Sequence, residues 1–194
     1  VTKAKEIVQA DGIAIDMPAG PSEVLVIADK NADPEFVAAD LLAQAEHGTD
    51  SQVIFLTDDK KMLIRVNRAV DEQLQSLPRK NIASAALENS FSLLLSSVME
   101  CIDFSNVYAP EHLIINTSDA SALAEKVINA GSVFIGEYSC ESAGDYASGT
   151  NHTLPTNGFA RSFSGVSVDS FLKKVTFQEL SDKGIERLGP VIEI

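Results

Sequence analysis

Short apolar runs alternate along this chain of 194 residues with longer stretches whose hydrophobic residues recur at helical spacing. Segment 23–29, EVLVIAD, is a compact run rich in β-branched residues, which is typical of a buried strand. Four further short apolar runs also predict strands. The predicted strands are 23–29, 52–58, 91–97, 112–116 and 132–136.

Helical patterns fill the intervals between these runs. Asp33 and Pro34 have the form of a helix start, because Asp caps the first turn and Pro at the first helical position loses no hydrogen bond. Gly48 and Gly131 stand where helices would end. The predicted helices are 34–48, 60–77, 82–89, 98–104 and 120–130, and residues 1–10 also have a helical pattern.

Repeated alternation of strand and helix predicts an α/β fold, in which crossover helices join parallel strands. We expect a Rossmann-like, doubly wound parallel sheet with helices on both faces. Ligands in such sheets bind beyond the carboxyl ends of the strands, so we expect the site there. Segment 140–164, rich in Gly, Ser, Thr and Asn, predicts a loop with at most one helical turn.

Three segments are expected along the chain. Residues 1–21 are interpreted as the tail of a preceding α/β domain or an interdomain connection, since the chain opens in a helical pattern without an initiator Met. Residues 22–166 form the predicted Rossmann-like domain with a metal and substrate site. Residues 167–194, where the pattern changes after Gly165, are interpreted as the start of a small C-terminal domain.

The charge balance excludes several kinds of partner. Fifteen Lys and Arg stand against 28 Asp and Glu, for a net charge of −13. This argues against nucleic acid and against an anionic membrane surface, and no apolar run approaches the roughly 18 residues of a membrane span. The two cysteines, Cys101 and Cys140, are far apart, and no signal peptide is recognisable. We therefore expect a cytoplasmic protein.

Gln44 and His47 are three residues apart at the end of a predicted helix, so their side chains share a face. An amide oxygen and an imidazole nitrogen at that spacing can reach one cation, with zinc, manganese and cobalt all compatible. Asp145, among small residues, offers a carboxylate as a third ligand. The alternatives are a hydrogen-bonded helix end for Gln44 and His47, and a helix cap for Asp145.

Glu111 and His112 place two bases of different intrinsic pKa side by side just before a predicted strand. The alternative is a solvated loop with two polar residues. Ser22, which precedes the first strand, could contact a substrate or simply belong to a turn. The role of His152 stays open.

Familiar nucleotide and hydrolase motifs are absent from the sequence. It contains neither G-x-G-x-x-G nor the G-x-x-x-x-G-K-[ST] loop, so no dinucleotide or nucleotide-phosphate fingerprint is present. It also lacks G-x-S-x-G and H-E-x-x-H, which removes the usual support for a serine hydrolase or a zincin.

Five longer strings in their order are far more specific than any single motif. The strings are IDMPAGPSEVLVIAD, ADLLAQAEHGTDSQVI, YAPEHLII, AGSVFIG and ESAGDYASGTNHTLPT. With them the chain resembles the later part of the L-histidinol dehydrogenase family, from end to end. The resemblance implies an NAD-linked, four-electron oxidation of L-histidinol through L-histidinaldehyde to L-histidine, the last steps of histidine biosynthesis.

The resemblance also implies residue roles. Gln44, His47 and Asp145 match three of the family's four zinc ligands; the fourth is a histidine beyond Ile194, contributed across a homodimer interface. Glu111 and His112 match the catalytic pair. Ser22, Gln44, His47, His112 and Asp145 match substrate contacts. The family's NAD contacts lie mainly in its N-terminal half, so no NAD-binding residue is expected here. Cys140 departs from a common proline.

Three functional hypotheses follow. The first is that the chain is the metal-bearing, catalytic part of a full-length histidinol dehydrogenase. The second is that the isolated 194 residues fold as an α/β domain but bind metal poorly and catalyse nothing. The third is a metal-dependent hydrolase that uses Glu111 as a base on a zinc-bound water.

Overall fold

The computed structural model describes residues 1–193 and is built on a five-stranded, all-parallel sheet. Its strands are β1 (Glu23–Ala28), β2 (Gln52–Thr57), β3 (Phe91–Leu94), β4 (His112–Asn116) and β5 (Ser132–Ile135). Their order across the sheet is β3-β2-β1-β4-β5. The chain therefore moves outward from β1 in one direction and then returns to continue from β4 in the other, as predicted for a doubly wound sheet.

Helices join the strands and continue beyond them. They are α1 (Thr2–Ala10), α2 (Pro34–Ala45), α3 (Lys60–Leu74), α4 (Lys80–Leu87), α5 (Val98–Tyr108), α6 (Ala120–Ala124), α7 (Glu141–Tyr146) and α8 (Asp182–Ile192). Asp33 caps α2 as predicted, because its carboxylate accepts the Glu35 N–H at 2.9 Å.

Alternating side chains of the strands build two apolar layers, one on each face of the sheet. Val24 and Val26 of β1 face a core that includes residues of α2, α3 and α4. Leu25 and Ile27 face the opposite core, which includes residues of α5 and α6. This alternation is the two-residue period of a strand whose faces are both covered, and the predicted helices on both faces are confirmed.

Most helix ends lie within three residues of the prediction, and two differ by four residues or more. The helix that begins at residue 98 continues to Tyr108, and it stops where Ala109 adopts a left-handed conformation at φ 60°. The helix that begins at Ala120 stops at Ala124 instead of continuing to residue 130. After it, the Asn106 side chain accepts the Ile128 N–H at 2.7 Å and donates to the Lys126 carbonyl, so that tertiary hydrogen bonds replace helical ones.

The region after β5 divides into two parts. Segment 140–164, predicted as a loop, contains α7 and a short 3-10 helix at Phe159–Arg161. Residues 167–193 contain a second 3-10 helix and α8, and none of them is buried. The division of the chain into three segments stays a prediction. Throughout residues 1–193, no helix combines the length and apolarity needed to cross a bilayer.

Candidate active site

The candidate residues gather at the amino ends of the strands, and the expected position at the carboxyl ends is wrong. Glu23 opens β1 and His112 opens β4. His47 follows α2, which ends near the amino edge because a crossover helix runs back past the strands it joins. The start of a strand and the end of the preceding helix therefore share this edge.

The carboxyl edge at the switch between β1 and β4 is closed by the chain itself. Asp29 follows β1, and its carboxylate accepts the backbone N–H of Ser118 at 2.9 Å and that of Asn31 at 2.8 Å. Asn31 in turn donates to the Ser118 hydroxyl at 2.6 Å. A nearby cavity of about 620 Å³, between the start of α2 and α3, is lined by none of the candidate residues.

Glu111 and His112 are buried, with 4% and 3% of their surfaces exposed, which removes the alternative of a solvated loop. Their position follows from the turn that ends α5, in which left-handed Ala109 and then Pro110 lead the chain into β4. Glu111 Oε2 lies 3.7 Å from His112 Nδ1 and accepts the Glu23 N–H at 2.9 Å. The two side chains therefore form one buried acid–imidazole pair.

The tautomer of His112 is set by the backbone of β1. His112 Nδ1 lies 3.2 Å from the Glu23 carbonyl oxygen, which can only accept a hydrogen bond, so Nδ1 carries the proton. Burial lowers the pKa of His112, which favours the neutral ring. Nε2 is buried and makes no hydrogen bond among the described residues, and it lies 3.9 Å from Asp145 Oδ1. His112 thus presents a lone pair at Nε2.

Burial is the main cause that raises the pKa of Glu111 to about 8, and the negative charge of Asp145 acts in the same direction. The neighbouring Ser22 hydroxyl lowers the pKa of Glu111 and so partly offsets these effects. A carboxyl group with such a pKa is a stronger base than an exposed glutamate. The structure thus brings Ser22 to the catalytic pair predicted from sequence.

His47, Glu141 and Asp145 each offer a ligand atom, and these three atoms lie within 4.8 Å of one another. Glu141 and Asp145 are four residues apart on α7 and therefore share its face. Asp145 lies inside this helix and does not cap it. Burial raises the pKa of Glu141 to about 8, and the neighbouring charges of Asp145, Glu111 and Asp40 add to that effect.

Gln44 lies in the last turn of α2 and is completely buried. Its amide oxygen and nitrogen have no hydrogen-bond partner among the described residues, unlike a Gln that merely caps a helix end. A buried amide without a partner is costly, which argues for a ligand not contained in the chain. With an imidazole and two carboxylates nearby in the fold, the nitrogen and oxygen donor set fits zinc.

Comparison with known proteins decides the family. The family model described as histidinol dehydrogenase matches residues 1–194. A histidinol dehydrogenase from Bacteroides thetaiotaomicron is 56% identical over 193 residues, which cover 100% of this chain and 45% of that protein. A chloroplastic histidinol dehydrogenase from Arabidopsis thaliana is 55% identical over 99% of the chain.

The chain belongs to the histidinol dehydrogenase family.

The crystal structure of histidinol dehydrogenase from Elizabethkingia anophelis matches this fold with a TM-score of 0.96 and 63% sequence identity. The match covers 100% of this chain and 45% of that one, so the chain spans less than half the length of the family members it matches. The predicted resemblance to histidinol dehydrogenase is confirmed.

Sequence reasoning missed three buried acids in or near this candidate site: Glu23, Asp40 and Glu141. Glu141 carried a usable signal, since it precedes Asp145 by one helical turn. Glu23 and Asp40 lie within apolar runs, and nothing in the local sequence pointed to a functional role for them. The structure leaves His152 exposed, and no partner of its side chain is seen among the described residues.

Proposed function

We propose that this chain supplies the metal ligands and the catalytic pair of an enzyme that oxidises L-histidinol to L-histidine with NAD. The observation that supports this most directly is the buried Glu111–His112 pair, which lies within 4 Å of Glu141 and Asp145 of the carboxylate–imidazole group. In this proposal the protein acts in the cytoplasm, in histidine biosynthesis.

Gln44, His47 and Asp145 are the proposed zinc ligands, with Glu141 beside them. Bound zinc would supply a Lewis acid that orients the imidazole and amine of histidinol, since zinc itself exchanges no electrons. The proposed fourth ligand is a histidine beyond residue 194, from the partner subunit of a homodimer. NAD is the proposed hydride acceptor, and its contacts are expected in the family's N-terminal half.

His112 acts in the first oxidation. Its Nε2 lone pair accepts the hydroxyl proton of histidinol. As the carbon–oxygen single bond becomes a double bond, the carbon transfers a hydride to NAD. The proton on Nδ1 stays hydrogen bonded to the Glu23 carbonyl, which stabilises the imidazolium that forms. The product of this step is the aldehyde.

Glu111 acts in the second oxidation. Its carboxylate removes a proton from the water that adds to the aldehyde, which gives the hydrate as its anion; this anion transfers a hydride to a second NAD, and the carboxylic acid that forms releases a proton to become the carboxylate. The raised pKa of Glu111 suits it to accept this proton near neutral pH. Because the pair is buried, bulk water has little access to the aldehyde between the two steps.

The experiment that tests these roles is Glu111→Gln in a full-length histidinol dehydrogenase that carries this sequence. We expect single-turnover oxidation of histidinaldehyde to slow by about 10²–10³-fold and oxidation of histidinol by much less, since the amide cannot accept the proton of water. Glu88→Gln, an exposed position after α4, is the matched control. Equal slowing of both steps would contradict the role given to Glu111.

We further propose that the 194 residues alone bind zinc weakly and do not oxidise histidinol, because they supply only part of the ligand set. Calorimetric titration of the chain with zinc measures this directly. Tight stoichiometric binding by the chain alone would overturn the idea.

A further inference from the structure

The first residue of β1 contacts both members of the catalytic pair through its main chain. The Glu23 N–H donates to Glu111 Oε2 at 2.9 Å, and the Glu23 carbonyl accepts from His112 Nδ1 at 3.2 Å. The orientation of this one residue therefore influences where the Glu111 carboxylate lies and which nitrogen of His112 carries the proton.

The Glu23 side chain connects that residue to the segments on either side of the site. It is buried, and its Oε1 accepts the Asn157 N–H at 3.0 Å. Its Oε2 lies 2.7 Å from the hydroxyl of Tyr108, the last residue of α5 and three residues before Glu111. The carboxyl group thus joins β1, the end of α5 and the chain after α7 at one point.

The number of protons in this cluster identifies the state of Glu23. The Tyr108 hydroxyl lies 2.7 Å from Glu23 Oε2 and 2.6 Å from Gln52 Oε1, yet it has a single proton. The Gln52 amide cannot turn to supply another, because its nitrogen already donates to the Asn89 carbonyl at 2.7 Å. Both short contacts are satisfied when Glu23 Oε2 carries a proton and donates it to the Tyr108 oxygen.

Burial agrees with this state, since it raises the pKa of Glu23. Such a proton leaves the Tyr108 hydroxyl free to donate to Gln52, and a continuous series of hydrogen bonds runs from Glu23 to Asn89.

We propose that Glu23, as a neutral carboxylic acid hydrogen bonded to Tyr108, is a positioning residue that holds the backbone of β1 against Glu111 and His112. The consequence for turnover rests on the proposed function. The consequence for His112 does not, because the Nδ1–H tautomer is a property of the folded protein. Without the Tyr108 contact, the Glu23 carbonyl is no longer fixed opposite Nδ1, and the Nε2–H tautomer becomes populated.

The test compares Glu23→Ala, Glu23→Gln and Tyr108→Phe in the full-length enzyme with zinc. Nitrogen-15 NMR of the histidine rings reports the tautomer, and steady-state kinetics reports kcat and KM. We expect Glu23→Ala and Tyr108→Phe to populate the Nε2–H form and to lower kcat by about 10–100-fold, with a much smaller change in KM. The Gln amide can donate as the protonated acid does, so Glu23→Gln should recover most of the lost kcat.

Asp59→Ala is the matched control, because it removes the cap of α3 at the opposite edge of the sheet and lowers stability without touching the pair. An unchanged His112 tautomer in Tyr108→Phe, which deletes only a hydroxyl, would overturn the proposal even if Glu23→Ala failed to fold. Equal damage from Glu23→Gln and Glu23→Ala would overturn the assignment of the proton. If the wild-type enzyme did not oxidise histidinol, the proposed function would be wrong. The NMR result would still test whether Glu23 fixes the tautomer of His112.

Discussion

Gly131 lies so close to Glu111 that no side chain fits between them. A Cβ at this position would be 2.6 Å from the Glu111 carbonyl oxygen and 3.1 Å from the Leu154 Cβ. The Gly131 N–H also donates to the Pro110 carbonyl at 2.9 Å, which fixes the chain just before Glu111. The residue that sequence marked as a helix end thus shapes the backbone of the catalytic pair.

Gly131→Ala should destabilise the protein by about 1–3 kcal/mol, because backbone atoms cannot move aside as a flexible side chain does. Urea unfolding measures the change. The matched control is Gly189→Ala in α8, where a Cβ meets no atom within 4 Å and improves helix propensity. A neutral result for Gly131→Ala would mean that the chain around Glu111 shifts without cost.

The buried side chain of Asp40 makes the free energy of unfolding depend on pH. Burial raises the pKa of Asp40 from 3.8 to about 7, so the folded protein holds a proton that the unfolded chain releases. The stabilising contribution of this proton is complete below pH 3.8 and is lost as the pH rises toward 7. At about 1.4 kcal/mol per pKa unit, the loss amounts to at most about 4 kcal/mol.

Asp40→Asn should therefore be more stable than the wild type at pH 8 and lose that advantage toward pH 4. Unfolding free energies measured in urea across this range test the sign. Asp71→Asn, an exposed position on α3, serves as the control. A slope in Asp40→Asn equal to that of the wild type would rule out the buried proton.

The sequence predicted the site residues that are close together in the chain and missed those that only tertiary contacts bring to the site. Glu111 and His112 are adjacent, and Gln44 precedes His47 by three residues, so local spacing was sufficient. Glu23 belongs to the site because β1 pairs with β4, a contact between residues 88 positions apart in the chain. Inside an apolar run, its carboxylate gave no local signal.

Among the elements, α7 depends most on tertiary contacts. Its six residues lack apolar periodicity, so sequence predicted a loop. Gly144 is buried against Phe134 of β5, and a Cβ there would be 2.6 Å from Phe134 Cε1 and 2.8 Å from Thr150 Oγ1. This close contact sets where Glu141 and Asp145 lie. The central strands β1, β2 and β4 carried much stronger signals, because they are buried along almost their whole length and consist mainly of apolar residues.

Gly144→Ala should push α7 away from Phe134 and weaken zinc binding by about 10-fold or more, since both α7 carboxylates move together. Competition with a chromophoric chelator, in the full-length enzyme, measures the affinity. Ser142→Ala, on the exposed face of α7, is the control. An unchanged zinc affinity in Gly144→Ala would mean that the carboxylates of α7 do not bind the metal.

At the scale of the whole molecule, the last segment adds little to the core. Residues 167–193 contain no buried side chain, and large apolar groups such as Phe171 and Phe177 are 76% and 94% exposed. Deleting residues 167–194 should therefore change the unfolding free energy of the remaining chain by less than about 1 kcal/mol. Urea unfolding of both lengths tests this, and a loss of several kcal/mol would contradict the proposed boundary at residue 166.

The pairing of β1 with β4 has a consequence for the order of events during folding. Residues 23, 47, 112 and 145 are far apart along the chain, and 22–23 meet 111–112 only after the ends of a long loop have closed. A folding intermediate in which only β1, β2 and β3 have paired contains at most the metal-binding donors near the end of α2. At the proposed zinc site we therefore expect the ion to bind after the sheet is complete and not to nucleate folding, in contrast to a zinc finger, where the ion organises the chain.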